Sequence, residues 1–202
     1  MPDWDENSPR LYHNLRETLR NIRDDALQRT TLDVDIIRVW HGKTLKGLSV
    51  PNKKYVGRFR GEPGLEKVEV KIGHHTGTPA PQVAAELAEF NARLQNVLQQ
   101  LDQAIPPGAE LSADELNTVL EVCAWAHSEW IRIHPFANGS GRTARLLANA
   151  IALRYGLPPF VRLRPRPDHG YSDAANASMQ GNHHPLTIAF RQMLDVCLAD
   201  DT

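Results

Sequence analysis

A histidine, an asparagine, two glycines and two arginines lie close together between residues 134 and 145, and together they could bind and transfer a phosphate. Gly139 and Gly141 permit positive φ angles and let an outside group approach the backbone N–H groups closely. Where a helix begins at such a loop, its unpaired N–H groups and its dipole favour an anion. The spacing therefore predicts an anion-binding loop, and a polyphosphate is the anion that fits it best.

The two arginines and the histidine indicate what happens to that phosphate. Arg142 and Arg145 lie three residues apart in the first turn of the predicted helix, so they project from one face. Positive charge in a first turn opposes the helix dipole, which indicates a bound anion that compensates for it. An imidazole at His134 can accept a proton near neutral pH. The combination predicts phosphoryl transfer to a hydroxyl, with His134 as the general base.

Phosphoryl transfer usually requires a divalent cation. The oxygen ligand nearest to the predicted phosphates is the side-chain carbonyl of Asn138, which is neutral and weak. The alternatives are a plain glycine-containing loop, a helix-end histidine bonded to the backbone, and solvated arginines. The occurrence of all these residue types within one short segment favours a site.

Two apolar helices must position this loop. Ser112, with Glu115 three residues later, predicts a capping box that opens a helix from 116 to 133 with very little polar surface. A second apolar helix covers 146–153 and ends near Gly156. Because both helices are expected to be buried, the loop lies at the end of a closely packed pair.

Helical periodicity also covers most of the remaining chain. It predicts a helix over 9–28, a second one capped by Thr31 or Asp33, a third from Val83 to Leu101, and two more around Gly181. No internal repeat is visible.

The segment 50–81 differs from the rest, because its many glycines and prolines break any helix. Within it, the alternation of apolar and charged residues over Val68–Ile72 predicts one arm of a small hairpin. The expected architecture is all-α with one small β-hairpin.

Composition excludes several classes of protein. The 202 residues carry a formal charge of −1 at pH 7, which gives no global reason to expect nucleic acid or an anionic membrane as a partner. The chain opens Met1-Pro2-Asp3-Trp4-Asp5-Glu6 without a basic or apolar leader, and no later stretch is long enough to span a membrane. The two cysteines lie in apolar stretches typical of reduced core residues. A cytoplasmic location is the simplest expectation, with secretion by a route that needs no cleaved signal as the alternative.

The string His134-Pro135-Phe136-Ala137-Asn138-Gly139-Ser140-Gly141-Arg142-Thr143-Ala144-Arg145 resembles the signature of the Fic domain family, His-x-Phe-x-(Asp/Glu)-Gly-Asn-Gly-Arg-x-x-Arg. The resemblance extends from about residue 30 to 195. It includes Trp40-His41, the segment 57–60 and the predicted hairpin region. It implies an all-α, Fic-type helical domain with a small β-hairpin flap over residues 30–202, preceded by an N-terminal helical extension over 1–29.

The resemblance also implies an activity, which is transfer of AMP from ATP to a Ser, Thr or Tyr hydroxyl of a target protein, with release of pyrophosphate. His134 would deprotonate the hydroxyl, and Mg²⁺ would bind at Asn138. Phe136 would anchor the loop in the core. The nucleotide would be bound by Asn138, Gly139, Ser140, Gly141, Arg142, Arg145 and Tyr171. The flap would align the target by adding its backbone to an exposed strand edge, through Val70, Ile72, Gly73 and His74.

Three positions depart from the pattern of the family. Asn138 stands where the family has Asp or Glu, so metal affinity should fall with the lost charge. Ser140 replaces an asparagine and can still donate one hydrogen bond to phosphate. Met179 stands where many members carry an asparagine that contacts the purine. The alternatives are therefore a transferase with another donor, such as another nucleotide, phosphocholine from its cytidine diphosphate carrier or a γ-phosphate, and a catalytically weakened binding module.

Many members of the family also carry a helix with the string Ser/Thr-x-x-x-Glu-(Gly/Asn), whose glutamate occupies the second arginine. The chain contains no such string, so the enzyme is either unrestrained or inhibited by a separate small antitoxin-like protein. The paired histidines at 74–75 and 183–184 are expected to be solvated and not to bind metal. The arginine-rich run 162–167 is expected to be a solvated edge, or a patch that steers acidic partners.

Overall fold

A computed structural model describes residues 8–168 and 170–200 of the chain. The described residues form helices α1 Pro9–Leu27, α2 Val34–Thr44, α3 Val83–Ala104, α4 Ala113–Ile133, α5 Ser140–Arg154, α6 Tyr171–Met179 and α7 His184–Asp200, with strands β1 Lys71–Ile72 and β2 His75–Thr76 between α2 and α3. Short 3₁₀ turns lie at Lys53–Tyr55 and Ala80–Gln82. The expected class, all-α with one small hairpin, is confirmed.

Side chains cap the helices at the places that the sequence indicates. Asp33, and not Thr31, caps α2, since its carboxylate accepts a hydrogen bond from the N–H of Ile36. Ser112 and Glu115 form the predicted capping box at the start of α4. Each cap stabilises its helix by about 1 kcal/mol, because it satisfies N–H groups that the helix leaves unpaired.

Helices α4 and α5 pack along each other at the centre of the molecule. On α5, Leu146, Leu147 and Ile151 are completely buried, and most of its remaining residues are buried as well. Helices α1 and α2 contact α5, while α3, α6 and α7 contact α4. Each large apolar side chain buried in this way contributes about 1.5–3 kcal/mol. The loop that joins α4 to α5 is therefore attached to the most extensively packed pair of helices.

The hairpin differs from the sequence expectation. The strand predicted over Val68–Ile72 is only two residues long, Lys71–Ile72, and pairs antiparallel with His75–Thr76. The backbone groups of Val68 are not available for strand pairing, because its N–H bonds the carbonyl of Leu65 and its carbonyl accepts from the Arg60 side chain. Val68 is thus bonded outside the strand pair, whereas the carbonyl of Val70 still accepts from the N–H of Gly77 across the hairpin at 3.1 Å.

Helix α1 shares the main hydrophobic core, with Leu11, Leu15 and Ile22 at most 1 % exposed. The division into an extension over 1–29 and a family domain over 30–202 remains a proposal, and residues 1–7 lie outside the described part of the chain. Neither cysteine forms a disulfide, and Cys123 is buried while Cys197 is half-buried. Among the described residues, no helix has the length and apolar character needed to cross a membrane.

Candidate active site

The loop between α4 and α5 begins and ends on left-handed residues. His134 closes α4 with φ 50° and ψ 60°, and its N–H bonds the carbonyl of Trp130 at 3.0 Å. Gly139, with φ 91°, is the N-cap of α5. The indole N–H of Trp130 donates to Thr143 Oγ1 at 2.8 Å, which joins the two helices across the base of the loop. The five residues between His134 and Ser140 are thereby held at both ends.

His41 of α2 clamps the middle of this loop. Its ring stacks on the buried Phe136, with centroids 3.7 Å apart and planes 4° from parallel. The N–H of Gly57 donates to His41 Nδ1 at 2.9 Å, so the proton resides on Nε2, which donates to the carbonyl of Asn138 at 2.9 Å. Burial and, to a smaller extent, the nearby positive charge of Arg142 lower the pKa of His41 to about 3. The sequence singled out Trp40-His41 but did not show this role of His41, because the role depends on contacts between residues that lie nearly a hundred positions apart in the chain.

A buried arginine joins the flap to the loop. Arg60 donates from Nε to the carbonyl of His134 at 2.8 Å and from Nη2 to the carbonyl of Ile133 at 3.0 Å. On the flap side, it donates to the carbonyls of Thr78 at 2.6 Å and Val68 at 3.1 Å. Its side chain has no exposed surface. The end of α4 and both ends of the flap are thus fixed by one guanidinium.

His134 lies on the wall of a cavity of about 680 Å³. Its Nδ1 lies 3.3 Å from the carbonyl of Ile131. A carbonyl only accepts, so this contact places the proton on Nδ1 and leaves the lone pair of Nε2 available. Burial lowers the pKa of His134 to about 4, with a further contribution from the positive charge of Arg60. The ring is therefore neutral at pH 7 and able to accept a proton.

The cavity brings together most of the residues that the sequence singled out. It is lined by Glu69, Val70, Lys71, Ile72, Gly73, His134, Ala137, Asn138, Gly139, Gly141, Arg142, Arg145, Arg164 and Arg166. Three of the four predicted flap residues, Val70, Ile72 and Gly73, thus face the same space as His134. The fourth, His74, is an exposed residue in the two-residue turn of the hairpin.

The N-terminus of α5 faces an electropositive space. No side chain caps this helix, and its first turn contains no acidic residue, unlike that of α4. Arg142 and Arg145 line the cavity although they are only 2 % and 4 % exposed. Arg142 Nη2 donates to Asn138 Oδ1 at 2.5 Å, and Arg145 Nη2 donates to the carbonyl of Leu163 at 3.3 Å. Backbone N–H groups and two oriented guanidiniums therefore favour an anion here.

The two glycines of the loop have different reasons to be glycine. Gly139 requires its positive φ, and a Cβ there would lie 3.1 Å from His41 Nε2. Gly141 does not adopt the positive φ that a glycine permits, because this residue is already helical within α5. A Cβ at Gly141 would make only ordinary contacts with the protein, the nearest at 3.6 Å from Arg145 Nη1. Since Gly141 lines the cavity, any side chain there would reduce the space for a ligand.

Ser140 and Tyr171 are placed differently from the expectation that they bind nucleotide directly. The buried Ser140 hydroxyl accepts from the N–H of Phe136 at 3.1 Å and so stabilises its own loop, because so short a side chain reaches the backbone of the preceding turn. The Tyr171 hydroxyl is paired with His127 Nε2 at 2.7 Å in the core. Neither is among the described residues that line the cavity. For both positions, direct contact with nucleotide remains a prediction.

The sequence interpretation missed Arg164 and Arg166. The arginine-rich run was expected to be a solvated edge or a patch that steers acidic partners. Arg162 and Arg166 are exposed, but Arg164 is half-buried, and Arg164 and Arg166 both line the cavity. No local signal in the sequence separates these two arginines from Arg162, because the chain bends at 164–165 and does not present alternate residues to one side. Arg162 pairs with Asp168 at 3.7 Å.

The residues around Asn138 do not fit a resident Mg²⁺ ion. Asn138 supplies a neutral amide oxygen, and that oxygen already accepts a hydrogen bond from Arg142. Among the described residues that line the cavity, the only carboxylate is Glu69, which lies 3.7 Å from Arg60 and accepts from the N–H of Ala80. No group of three or more His, Cys, Asp or Glu side chains in the described ranges could hold a metal ion. Positive side chains, and not acidic oxygen ligands, dominate this site.

Comparison with known proteins gives a consistent result. The model of a family described as Fic/DOC matches residues 31–152, which include the flap and the loop. A protein adenylyltransferase Fic of Nematostella vectensis is 32 % identical over 185 residues, 87 % of this chain and 36 % of that protein. One of Culex quinquefasciatus is 39 % identical over 145 residues, 71 % of this chain and 26 % of that protein. The chain spans about a third or less of the length of these relatives.

Solved structures share the fold. A Fic domain containing signaling protein from Bacteroides thetaiotaomicron superposes with a TM-score of 0.62 at 21 % identity, over 92 % of this chain and 69 % of that one. The BepC protein of Bartonella tribocorum, solved with bound AMPPNP, gives a TM-score of 0.61 at 18 % identity, over 91 % of this chain and 85 % of that one.

Proposed function

Because the chain belongs to the Fic/DOC family, we propose that it is a protein adenylyltransferase, which transfers AMP from ATP to a Ser, Thr or Tyr hydroxyl of a target protein. The observation that carries the proposal is the shared cavity, into which a neutral His134 and the arginine-bearing start of α5 both open. The relatives that bear the name protein adenylyltransferase support it. Such chemistry needs mainly positioning and charge neutralisation, which this cavity supplies.

The proposed reaction starts at Nε2 of His134, the ring nitrogen that the Ile131 contact leaves unprotonated. Nε2 takes the proton of the target hydroxyl, the hydroxyl oxygen forms a bond to the α-phosphorus, and the bond from that phosphorus to pyrophosphate breaks. AMP remains on the target, and pyrophosphate leaves with the negative charge. His134 then returns its proton to solvent.

Arg142 and Arg145 would neutralise the β- and γ-phosphates as the pyrophosphate leaves. Their guanidiniums already line the cavity and are fixed by Asn138 and by the carbonyl of Leu163. The flap strand Lys71–Ile72 would hold the target backbone beside His134. An antitoxin-like protein whose glutamate reaches Arg145 would compete with the phosphates for this site. We expect the protein to act in the cytoplasm.

The proposal is tested by incubating the purified chain, alone and with a cell lysate, with ATP labelled on its α-phosphate. We expect label on protein from α-labelled ATP and none from γ-labelled ATP. His134→Ala should lower the labelling rate by about a hundredfold or more, because it removes the general base. Intact-mass analysis of the modified protein identifies the group transferred and so distinguishes AMP from another nucleotide, phosphocholine or phosphate.

His13→Ala is the matched control, since His13 is an exposed helical residue of α1 away from the cavity. This variant should label at the rate of the unmodified chain. Labelling that survives His134→Ala would contradict the assignment of the base. No labelling with ATP, with or without Mg²⁺ or Mn²⁺, would overturn the proposed activity and favour a binding module.

A further inference from the structure

The cavity contains more positive charge than the family signature accounts for. Besides Arg142 and Arg145, its wall includes Lys71, Arg164 and Arg166. The single carboxylate among the described lining residues, that of Glu69, is shared with Arg60 and the N–H of Ala80. Cations gathered around a partly enclosed space attract a polyanion strongly, because water screens them less there than at an open surface.

Arg164 and Arg166 lie on a segment that the core holds in place. The buried amide of Asn149 on α5 bonds both backbone groups of Val161, donating to its carbonyl at 2.8 Å and accepting from its N–H at 2.9 Å. Further along, the carbonyl of Leu163 accepts from Arg145. The Arg166 guanidinium donates to the hydroxyl of Ser172 in the first turn of α6. These contacts fix the two arginines relative to the start of α5.

The same cavity lacks a suitable metal ligand, since the Asn138 oxygen is neutral and bonded to Arg142. We propose that Arg164 and Arg166 form a second cationic arm of the donor site. This arm binds the donor phosphates and supplies the positive charge that a divalent cation would otherwise supply, so donor binding does not require metal. The inference rests on the proposed function in taking the donor to be a polyphosphate compound.

Calorimetry on the full chain tests the inference, with two probes, ATP and inorganic tripolyphosphate, at constant ionic strength. Each is measured in EDTA and in MgCl₂. We expect the chain to bind both probes in EDTA. Arg164→Gln and Arg166→Gln should each weaken binding in EDTA about tenfold, because each removes a charge-assisted contact to phosphate. Circular dichroism melting confirms that each variant is folded.

Arg23→Gln is the matched control. Arg23 is an exposed residue of α1 and is not among the described residues that line the cavity. This variant should leave both affinities within about twofold of the unmodified chain, as expected for a surface charge. If Arg23→Gln weakened binding as much as the other two variants, the effect would be one of general charge, and the inference would be overturned.

Asn138→Asp gives a second, opposite test. A carboxylate at this position should weaken binding in EDTA about tenfold through repulsion of the phosphates, and MgCl₂ should restore it. Unchanged affinity in EDTA would contradict the inference, since the phosphates would then lie elsewhere.

The remaining outcomes separate the two proposals. If ATP and tripolyphosphate bind only with Mg²⁺ while protein labelling proceeds, the cationic arm is overturned and the proposed activity stands. If tripolyphosphate binds in EDTA through Arg164 and Arg166 but no nucleotide labels protein, the cationic arm is supported and the proposed nucleotidyl transfer is overturned.

Discussion

At the scale of single residues, two histidines on either side of the loop are fixed in opposite tautomers. His41 accepts at Nδ1 from a backbone N–H and donates from Nε2, so both of its nitrogens are used in positioning the loop. The carbonyl of Ile131 accepts from Nδ1 of His134 and so favours the tautomer with the proton on Nδ1, which leaves the lone pair of Nε2 available to accept a proton. The backbone groups around each ring, and not the residue type, assign the two roles.

The two glycines give a prediction at this scale. Gly139→Ala should lower the free energy of unfolding by about 1–2 kcal/mol, because alanine disfavours a positive φ and its Cβ approaches His41. Gly141→Ala should raise it by up to about 1 kcal/mol, since alanine is the better helix former, but should weaken ATP binding by crowding the cavity. Urea unfolding and calorimetry measure the two quantities. A loss of stability in Gly141→Ala would contradict this division.

At the scale of elements, the flap is connected to the body through a side chain more than through its strands. The hairpin contains only two pairs of residues, which is too little to be stable alone. Arg60 supplies the connection, since it donates to carbonyls on both the flap and the end of α4. A displacement of the flap should therefore also displace the carbonyl of His134.

Arg60→Met is predicted to lower the free energy of unfolding by about 3 kcal/mol, because several buried carbonyls lose a charged donor at once. Amide hydrogen exchange should also accelerate at Gly77 and Thr78, whose N–H groups bond the carbonyls of Val70 and Arg132. Arg60→Met should also lower the rate of protein labelling.

Arg58→Met is the control for this prediction. Arg58 lies two residues earlier and makes a partly exposed pair with Glu62 at 3.1 Å, so its loss should cost about 0.5 kcal/mol or less. It should leave exchange at Gly77 unchanged. Equal effects of the two substitutions would show that the flap is held by something other than Arg60.

At the scale of the whole molecule, the buried His41 and His127 and the half-buried His134 make folding sensitive to acid. Burial lowers the pKa of His41 and His127 to about 3 and of His134 to about 4, assisted by Arg142, Arg145 and Arg60 respectively. The unfolded chain, with a histidine pKa near 6.5, binds these protons first as the pH falls. Their stabilising contribution is thus fully present above pH 6.5 and is lost as the pH falls toward the folded pKa values.

We predict that the free energy of unfolding declines by up to about 4 kcal/mol per pH unit between pH 6 and 5, or about 1.4 for each histidine. Urea unfolding at several pH values measures this slope. His127→Gln should reduce it by about a third, whereas the exposed His13→Ala should not change it. A slope that is unaffected by His127→Gln would mean that this histidine is not buried in the neutral form.

The helices and the loop could be predicted because their signals are local. Periodicity, the Ser112 cap and the run from His134 to Arg145 all lie within a few turns of chain. The role of Arg60, the inward turn of the Ser140 hydroxyl and the cavity position of Arg164 could not, because each depends on partners that only folding brings close or on the direction of one side chain. Tertiary contacts decide these features, and a single sequence does not display them.

The hydrogen bond between Trp130 and Thr143 limits the number of residues that can lie between the core and His134. His134 follows the completely buried Trp130 by one helical turn, so an inserted or deleted residue in the last turn of α4 would rotate the histidine by about 100°. The turn at 106–111, outside any helix and largely exposed, has no such restriction. Tags and inserted peptides should therefore be tolerated between α3 and α4, while a change of one residue in length just before His134 should abolish activity in a protein that still folds.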